Sequence, residues 1–140
     1  MSLQDKDKKI IGLLKEEGRA SIRDIAKKTN LRPSTVHQRL RKLQDDQVIE
    51  KFTVKLNNDA VEENFIVFIL VNTKKHLSAA ALSHPSIKEV FGVTGEFDLL
   101  IKCKFKDIVA FNHFIIEFRK NEAVNNTLTL VSTLTLKEEL

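Results

Sequence analysis

The stretch at residues 21–43 reads SIRDIAKKTNLRPSTVHQRLRKL, and it predicts two amphipathic helices joined by a tight turn. The first helix is expected to begin after Ser21, a good N-cap, with Asp24 three residues later as a short capping-box partner. Asn30 adopts the left-handed conformation at low cost, which suits the turn. Pro33 favours the first position of the second helix, because its missing N–H would have no partner there.

The second helix is predicted to have two unlike faces. Val36, Leu40 and Leu43 fall on one apolar stripe at helical spacing. The opposite side is mostly small, polar or basic, and it comprises Ser34, His37, Gln38, Arg41 and Asp45. Two amphipathic helices joined by a short turn, the second with a polar front, describe a helix-turn-helix.

The flanking sequence extends this unit in both directions. An earlier helix is predicted around Ile10, Leu13 and Leu14, and Gly18 follows it as a stop signal. After the helix-turn-helix, residues 48–49 and 52–56 are predicted to be short strands, as in a wing. We therefore expect a winged helix-turn-helix DNA-binding domain over residues 1–56.

Charge is distributed unevenly along the chain. Residues 1–56 hold 14 Lys and Arg against 8 Asp and Glu, whereas residues 57–140 hold 9 against 11. Basic residues clustered in one part of a chain indicate a polyanionic partner, although an ordinary solvated helix surface is the alternative. Double-stranded DNA is the partner expected here.

Several function classes find no support in the sequence. No stretch approaches the ~20 apolar residues of a membrane span, and the polar N-terminus does not resemble a secretory signal. Cys103 is the only cysteine and lies in an apolar stretch, which favours a buried thiol and a reducing, cytoplasmic location. We find no phosphate loop, catalytic carboxylate pair or nucleophile motif, and His76, His84 and His113 lack metal-ligand spacing. No metal and no cofactor are expected.

The second half alternates strands and helices. Residues 57–64 are polar and are predicted to link the two domains. Strands are predicted at 65–71, 87–93 and 97–105, helices at 77–82 and from Ile108 to Phe118, and a last alternating strand over 127–136. This βαββαβ order predicts a ferredoxin-like domain over residues 65–140. Its helices would cover one face of the sheet, and the other face is so apolar that a partner subunit is the expected cover.

The chain resembles the Lrp/AsnC (leucine-responsive) family of transcriptional regulators over nearly its whole length. The similar stretches are DKKIIGLL (7–14), RASIRDIA (19–26), LRPSTVHQRL (31–40), LQDDQVI (43–49) and VTGEFD (93–98). Arg32 departs from the family's usual Ser N-cap, and Gln47 stands where Gly is usual. Gln4 replaces an Asp at the first helix.

The resemblance implies a sequence-specific regulator that forms dimers through the ferredoxin-like domain, often assembling to tetramers or octamers. It also implies an amino-acid or related effector near the Gly-x-aromatic-Asp turn. Thr94, Gly95 and Asp98 are the candidate effector contacts, although a plain β-turn would explain Gly and Asp equally well.

The candidate DNA contacts divide by chemistry. Base edges in the major groove are expected to meet Ser34, His37, Gln38 and Arg41. Phosphates are expected to meet Lys27, Lys28, Arg32, Arg39 and Lys42. For Arg39, which flanks the apolar stripe, a structural hydrogen bond inside the domain is an equal alternative.

Two other functions remain as alternatives. Some proteins with this two-domain arrangement resemble siroheme decarboxylases, in which basic residues would bind tetrapyrrole carboxylates. The small, polar and basic front of the second helix favours DNA instead. An assembly protein without a DNA role would leave the uneven charge unexplained.

Overall fold

Three helices form the first part of the computed structural model, which describes residues 2–140. They are α1 (Asp5–Glu16), α2 (Ile22–Thr29) and α3 (Pro33–Asp45). Their apolar stripes meet in a small core of four buried side chains: Ile10, Ile25, Ala26 and Val36. This helical part belongs to one of two compact units, Met1–Lys55, and the second unit is Leu56–Leu140.

The turn between α2 and α3 forms as the sequence predicts. The Ser21 hydroxyl accepts from the Asp24 N–H, and the Asp24 carboxylate accepts from the Ser21 N–H, each at 3.1 Å. Asn30 ends α2 in the left-handed region, with φ at 59°. Pro33 occupies the first turn of α3, and the residue before it, Arg32, provides no side-chain cap.

The predicted strands at residues 48–49 and 52–56 are wrong. Residues 50–57 carry no regular secondary structure, and no backbone hydrogen bond from the N–H groups of 50–56 is found among residues 2–140. Apolar and polar residues alternate there in the sequence, but Phe52, Val54 and Leu56 are exposed like their polar neighbours. A strand needs a second strand to bond with, and residues 52–56 find none among residues 2–140.

A four-stranded antiparallel sheet forms most of the second unit. Its strands are β1 (Phe65–Thr73), β2 (Ile87–Gly92), β3 (Leu99–Phe105) and β4 (Val124–Val131), in the order β2-β3-β1-β4. One helix, α4 (Ile108–Arg119), follows β3. This is the topology of the predicted ferredoxin-like domain, and the predicted winged helix-turn-helix plus ferredoxin-like fold class is confirmed by the comparisons reported below.

Two predicted elements of this unit are shorter than expected. The helix predicted at 77–82 is only a 3₁₀ turn, Ala80–Leu82. Only Leu77 of that segment is buried, so little packing supports a longer helix. The last strand ends at Val131 rather than at residue 136. Val131 forms the outermost pair of the β1–β4 ladder with Val67, so residues 132–136 lie beyond the part of β1 that pairs with this strand.

The sheet has one covered face and one open face. Val67, Ile69, Ile101 and Cys103 point to the covered side, where they form one core with α4 residues such as Phe114. The ladder register places alternate residues on the opposite side, which we call the open face. Its members include Phe68, Leu70, Glu89, Phe91, Leu100, Lys102, Lys104, Leu128 and Leu130, whereas Ile66 on the same side of the sheet is buried.

Residues 57–64 form hydrogen-bonded turns. The Glu63 N–H donates to the Asn58 carbonyl at 2.8 Å, and the Val61 N–H donates to the Asn57 carbonyl at 3.2 Å. Glu63 also pairs with Lys88 of β2 at 2.8 Å. The segment predicted to be a linker therefore packs as part of the second unit.

Candidate nucleic-acid interface

The surface of α3 separates apolar and polar side chains as the sequence predicts. Val36 and Leu43 are fully buried, and Leu40 is half-buried. On the other side, four exposed side chains follow one another at helical spacing, and we call them the front of α3: Ser34, His37, Gln38 and Arg41. This front offers hydroxyl, imidazole, amide and guanidinium groups, all of which hydrogen-bond to base edges.

The other basic side chains predicted to meet phosphates are exposed: Lys27 and Lys28 on α2, Arg32 at the N-cap of α3 and Lys42 on α3. Lys28 pairs with Glu17 at 2.5 Å, and this hydrogen bond raises the pKa of the Lys28 ammonium. Lys42 pairs with Asp46 one turn later at 3.1 Å. Exposed pairs of this kind contribute little to stability, so both ammonium groups can exchange these partners for phosphate oxygens.

Arg39 is not available for a phosphate, which corrects its place in the predicted set. Its Nε and Nη2 donate to the two carboxylate oxygens of Asp7, each at 2.7 Å. The Asp7 side chain is fully buried and that of Arg39 is 10% exposed. This bidentate pair joins α1 to α3, which is the structural alternative that the sequence left open.

Asp7, the buried partner of Arg39, is a positioning residue that the sequence analysis missed. Its carboxylate also accepts from the Gln4 N–H at 2.9 Å, which caps the start of α1. The Arg39 hydrogen bond holds the pKa of Asp7 below its usual value, although burial opposes that effect. A signal was present, because Asp7 precedes Ile10 and Leu14 at helical spacing and so lies on the buried side of α1.

The Gly-x-aromatic-Asp turn lies between β2 and β3 in the second unit. Gly95 has φ at +107°, a conformation that residues with a side chain rarely adopt, and Thr94 is exposed beside it. The Asp98 Oδ2 accepts from the Thr73 N–H at 2.7 Å and from its hydroxyl at 2.8 Å. These bonds lower the pKa of Asp98 and fasten the turn to the end of β1.

Two asparagines extend this polar cluster, and no sequence pattern predicts their role. The Asn72 amide donates to the Glu96 carbonyl at 2.9 Å, and its oxygen accepts from Asn125 at 2.7 Å. The end of β1, the β2–β3 turn and the start of β4 are thus joined by side chains. Asp98 and these amides hold the turn that presents Thr94 and Gly95 to solvent.

Family models match both units. A winged helix-turn-helix DNA-binding model matches residues 3–50, and the Lrp/AsnC ligand-binding domain matches residues 66–140, more than half of the chain. The chain belongs to the Lrp/AsnC family. It is a transcriptional regulator with a DNA-binding helix-turn-helix and a ligand-binding domain.

Two relatives that match nearly the whole length of this Lrp/AsnC regulator are also named as transcriptional regulators. The HTH-type transcriptional regulator FL11 of Pyrococcus furiosus is 34% identical over 140 residues, covering 97% of this chain and 93% of the relative. FL11 of Pyrococcus horikoshii is 35% identical with the same coverage. Because these relatives are regulators rather than enzymes, the siroheme-decarboxylase-like alternative finds no support.

Solved structures match the whole fold. The regulator NMB0573 of Neisseria meningitidis, in complex with L-Met, superposes with a TM-score of 0.90 at 26% identity and covers 99% of this chain and 94% of that one. The fold of B. subtilis LrpC is also similar, with a TM-score of 0.87 at 21% identity, covering 99% of this chain and all of that chain.

The remaining candidate side chains of this Lrp/AsnC regulator take ordinary positions. Cys103 is fully buried, as predicted, and burial raises the pKa of its thiol to about 12. His76, His84 and His113 are exposed. Within residues 2–140, no group of His, Cys, Asp and Glu side chains is arranged to hold a metal ion, and no helix has the length and hydropathy needed to cross a membrane.

Proposed function

We propose that α3 of this regulator enters the major groove of DNA with its front towards the bases. The observation that carries the proposal is the exposed polar front on a helix whose other side is fixed in the core. Arg41 would bond guanine and Gln38 adenine, while Ser34 and His37 make the remaining base contacts. Dimer symmetry would present two such helices to a pseudo-palindromic site.

Phosphate contacts come from the flanking basic side chains. Lys27, Lys28, Arg32 and Lys42 are exposed, and the two that have acidic partners hold them only through solvent-exposed pairs. Such contacts strengthen binding to any sequence and make it sensitive to salt. Arg39 is left out of this set because Asp7 occupies its guanidinium.

The test is binding of duplex DNA selected from a random pool by the wild-type protein, followed by fluorescence anisotropy with a scrambled duplex as control. Gln38→Ala and Arg41→Ala should each lose about 1–3 kcal/mol of binding to the selected duplex and much less to the scrambled one. Lys15→Ala, on the exposed side of α1, is the matched control and should change neither. Equal loss on both duplexes would contradict base readout.

The second unit is proposed to be both the dimer interface and the effector site. Phe91, Leu128 and Leu130 of the open face are each about half exposed, with exposures of 53%, 47% and 51%. Phe91 and Leu128 lie on opposite edge strands, and Leu100 and Leu70 lie between them in register. An apolar row of this kind across a sheet is typical of an interface between subunits. A homodimer formed through the open faces, able to assemble further to a tetramer or octamer in the cytoplasm, is the assembly we propose.

An amino acid is the proposed effector, bound beside Thr94, Gly95 and Asp98. The support is the exposed turn held by Asp98, together with the L-Met complex of the Neisseria regulator, which is similar over the whole chain. An effector that binds one assembly state more tightly than another would shift the equilibrium towards the state that it prefers. Calorimetry with L-methionine should detect binding that Thr94→Val and Gly95→Val weaken, whereas Thr133→Val should leave it unchanged. Unchanged affinity in the first two variants would exclude this turn.

A further inference from the structure

The covered face of the sheet has less helical cover than its topology provides for. A ferredoxin-like unit places two helices on one face of its sheet. Here α4 is a full helix, but the segment between β1 and β2 contributes only the 3₁₀ turn Ala80–Leu82. A cleft of about 690 Å³ is lined by that segment and by α4. Pockets for small molecules have volumes of roughly 300–1,000 Å³, so the cleft can hold a ligand.

The inner wall of the cleft is aromatic. Phe105, Phe114 and Phe118 line it, and all three are buried. The ring centres of Phe105 and Phe114 lie 5.3 Å apart, and those of Phe114 and Phe118 lie 5.4 Å apart. Ala81 and Ala110 also line the cleft, and their small side chains leave its space open. Aromatic rings pair favourably with a further ring, so this wall suits a planar, apolar ligand.

The polar groups that line the cleft include several hydrogen-bond donors. The His84 Nδ1 accepts from the Ser86 N–H at 3.1 Å, so the neutral ring carries its proton on Nε2, which can donate. The Asn121 amide oxygen accepts from the Ala123 N–H at 2.9 Å, which leaves the amide nitrogen as a donor. His113 adds a second imidazole. A ligand that matches these groups has to supply acceptors.

A carboxylate also lines the cleft, but its charge is already balanced. The Glu117 Oε1 accepts from Lys120 Nζ at 2.9 Å, three residues later on the chain. A cationic ligand would therefore compete with this ammonium group for Glu117. An anionic ligand instead meets the donors of His84 and Asn121 and strengthens both bonds by its charge.

We propose that this cleft binds an aromatic carboxylate, with its ring against Phe114 and its carboxylate towards His84 and Asn121. The His84 ring packs edge-on against Phe114, with the ring centres 5.0 Å apart, so the donor and the ring site are neighbours. The proposed amino-acid site is a different place. Its Gly95 turn precedes the start of β3, whereas Phe105 ends that strand, and seven strand residues span on the order of 20 Å.

The test uses the ligand's own fluorescence, because the chain contains neither Trp nor Tyr. Indole-3-propionate is the probe, and tryptamine, which carries an ammonium group in place of the carboxylate, is the matched ligand. The anisotropy of each is titrated with the full-length protein. Ala110→Leu fills the cleft, and His84→Phe keeps a ring beside Phe114 but removes the donor. Val109→Leu, the next residue of α4 but outside the lining of the cleft, is the control.

We expect wild type to bind indole-3-propionate at least about tenfold more tightly than tryptamine. Ala110→Leu should weaken binding of the carboxylate at least about tenfold and His84→Phe about fivefold, whereas Val109→Leu stays within about twofold. His84→Phe should leave tryptamine binding unchanged. Circular dichroism checks that each variant folds, and the result for His84→Phe stands even if Ala110→Leu does not fold.

Three outcomes would overturn the proposal. The first is a probe anisotropy that does not rise at wild-type concentrations of about 1 mM. The second is equal affinity for the two ligands, since it removes the role of the carboxylate. The third is binding that Gly95→Val abolishes and that Ala110→Leu and His84→Phe leave unchanged, since it places the ligand at the β2–β3 turn.

Discussion

At the scale of single residues, Asp7 and Arg39 form a buried, bidentate ion pair in the first unit. Both guanidinium bonds are 2.7 Å long, and the carboxylate is fully buried. Apolar side chains hold α1 and α3 together without fixing their rotation, whereas a bidentate pair does fix it. The pair therefore orients α3, which carries the proposed base contacts on its other side.

We expect Asp7→Asn to lower the free energy of unfolding of the helical unit by about 3–5 kcal/mol, because it leaves the Arg39 charge buried and unpaired. Urea denaturation followed by far-ultraviolet circular dichroism measures the change. Glu17→Gln, which breaks the exposed pair with Lys28, is the control and should cost less than about 1 kcal/mol. An Asp7→Asn variant as stable as the control would contradict this role.

The same pair makes stability depend on pH in a defined direction. The folded protein lowers the pKa of Asp7 below its usual 3.8, chiefly through the Arg39 hydrogen bond. A lowered carboxyl pKa contributes stability above the ordinary pKa, and this contribution is lost as the pH falls through the folded value. Wild type should thus lose stability below pH ~4 more steeply than Asp7→Asn does.

At Gln47 the backbone is under strain. It has φ at 58°, in the left-handed region, just after α3 ends. Glycine adopts that conformation without steric cost, so Gln47→Gly should stabilise the protein by up to ~1 kcal/mol, measured as a higher midpoint in thermal denaturation. Gln44→Gly, inside α3, is the control and should destabilise by a similar amount. A lower midpoint for Gln47→Gly would show that its side-chain bond to the Gln44 carbonyl matters more.

At the scale of elements, α3 begins without a stabilising side-chain cap, although the residue at its N-cap can serve DNA binding. Arg32 stands at the N-cap and provides no side-chain hydrogen bond to the first turn, as its departure from the family pattern predicts. An Arg in this place is exposed and can bind a phosphate instead. If Arg32 makes the phosphate contact proposed above, the helix exchanges local stability for that contact.

Arg32→Ser should therefore change two properties in opposite directions. The serine hydroxyl can cap α3 and stabilise the protein by about 1 kcal/mol in thermal or urea denaturation. Loss of one phosphate contact should weaken DNA binding and reduce the slope of log affinity against log salt by ~1. Arg19→Ser, outside the proposed contact set, serves as the control, and an unchanged salt slope for Arg32→Ser would remove Arg32 from that set.

At the scale of the whole molecule, the open face carries the exposed apolar side chains of Phe91, Leu128 and Leu130, and it is the surface proposed to meet a second copy. A partner that binds only the folded chain raises its apparent stability by mass action. The thermal midpoint should accordingly rise with protein concentration, in differential scanning fluorimetry from micromolar to hundreds of micromolar. A constant midpoint over that range would argue against dimerisation.

The local sequence determined those features that depend only on residues a few positions apart. The capping box at Ser21, the left-handed Asn30, Pro33 at the start of α3 and the two faces of that helix all follow from spacing and side-chain chemistry. The alternation along β3, with Cys103 on its buried side, follows likewise. These features depend on neighbours within one or two turns, so the sequence alone predicts them.

The tertiary structure decided those features that depend on a contact between residues distant in the chain. Residues 52–56 have a strand pattern but find no second strand, and the 77–82 helix shortens because only Leu77 packs. Arg39 points to Asp7, which lies 32 residues away, rather than to DNA. Asp98 engages Thr73 through a contact that spans 25 residues. Hydrogen bonds and ion pairs of this range depend on how elements pack, and composition and periodicity do not encode that packing.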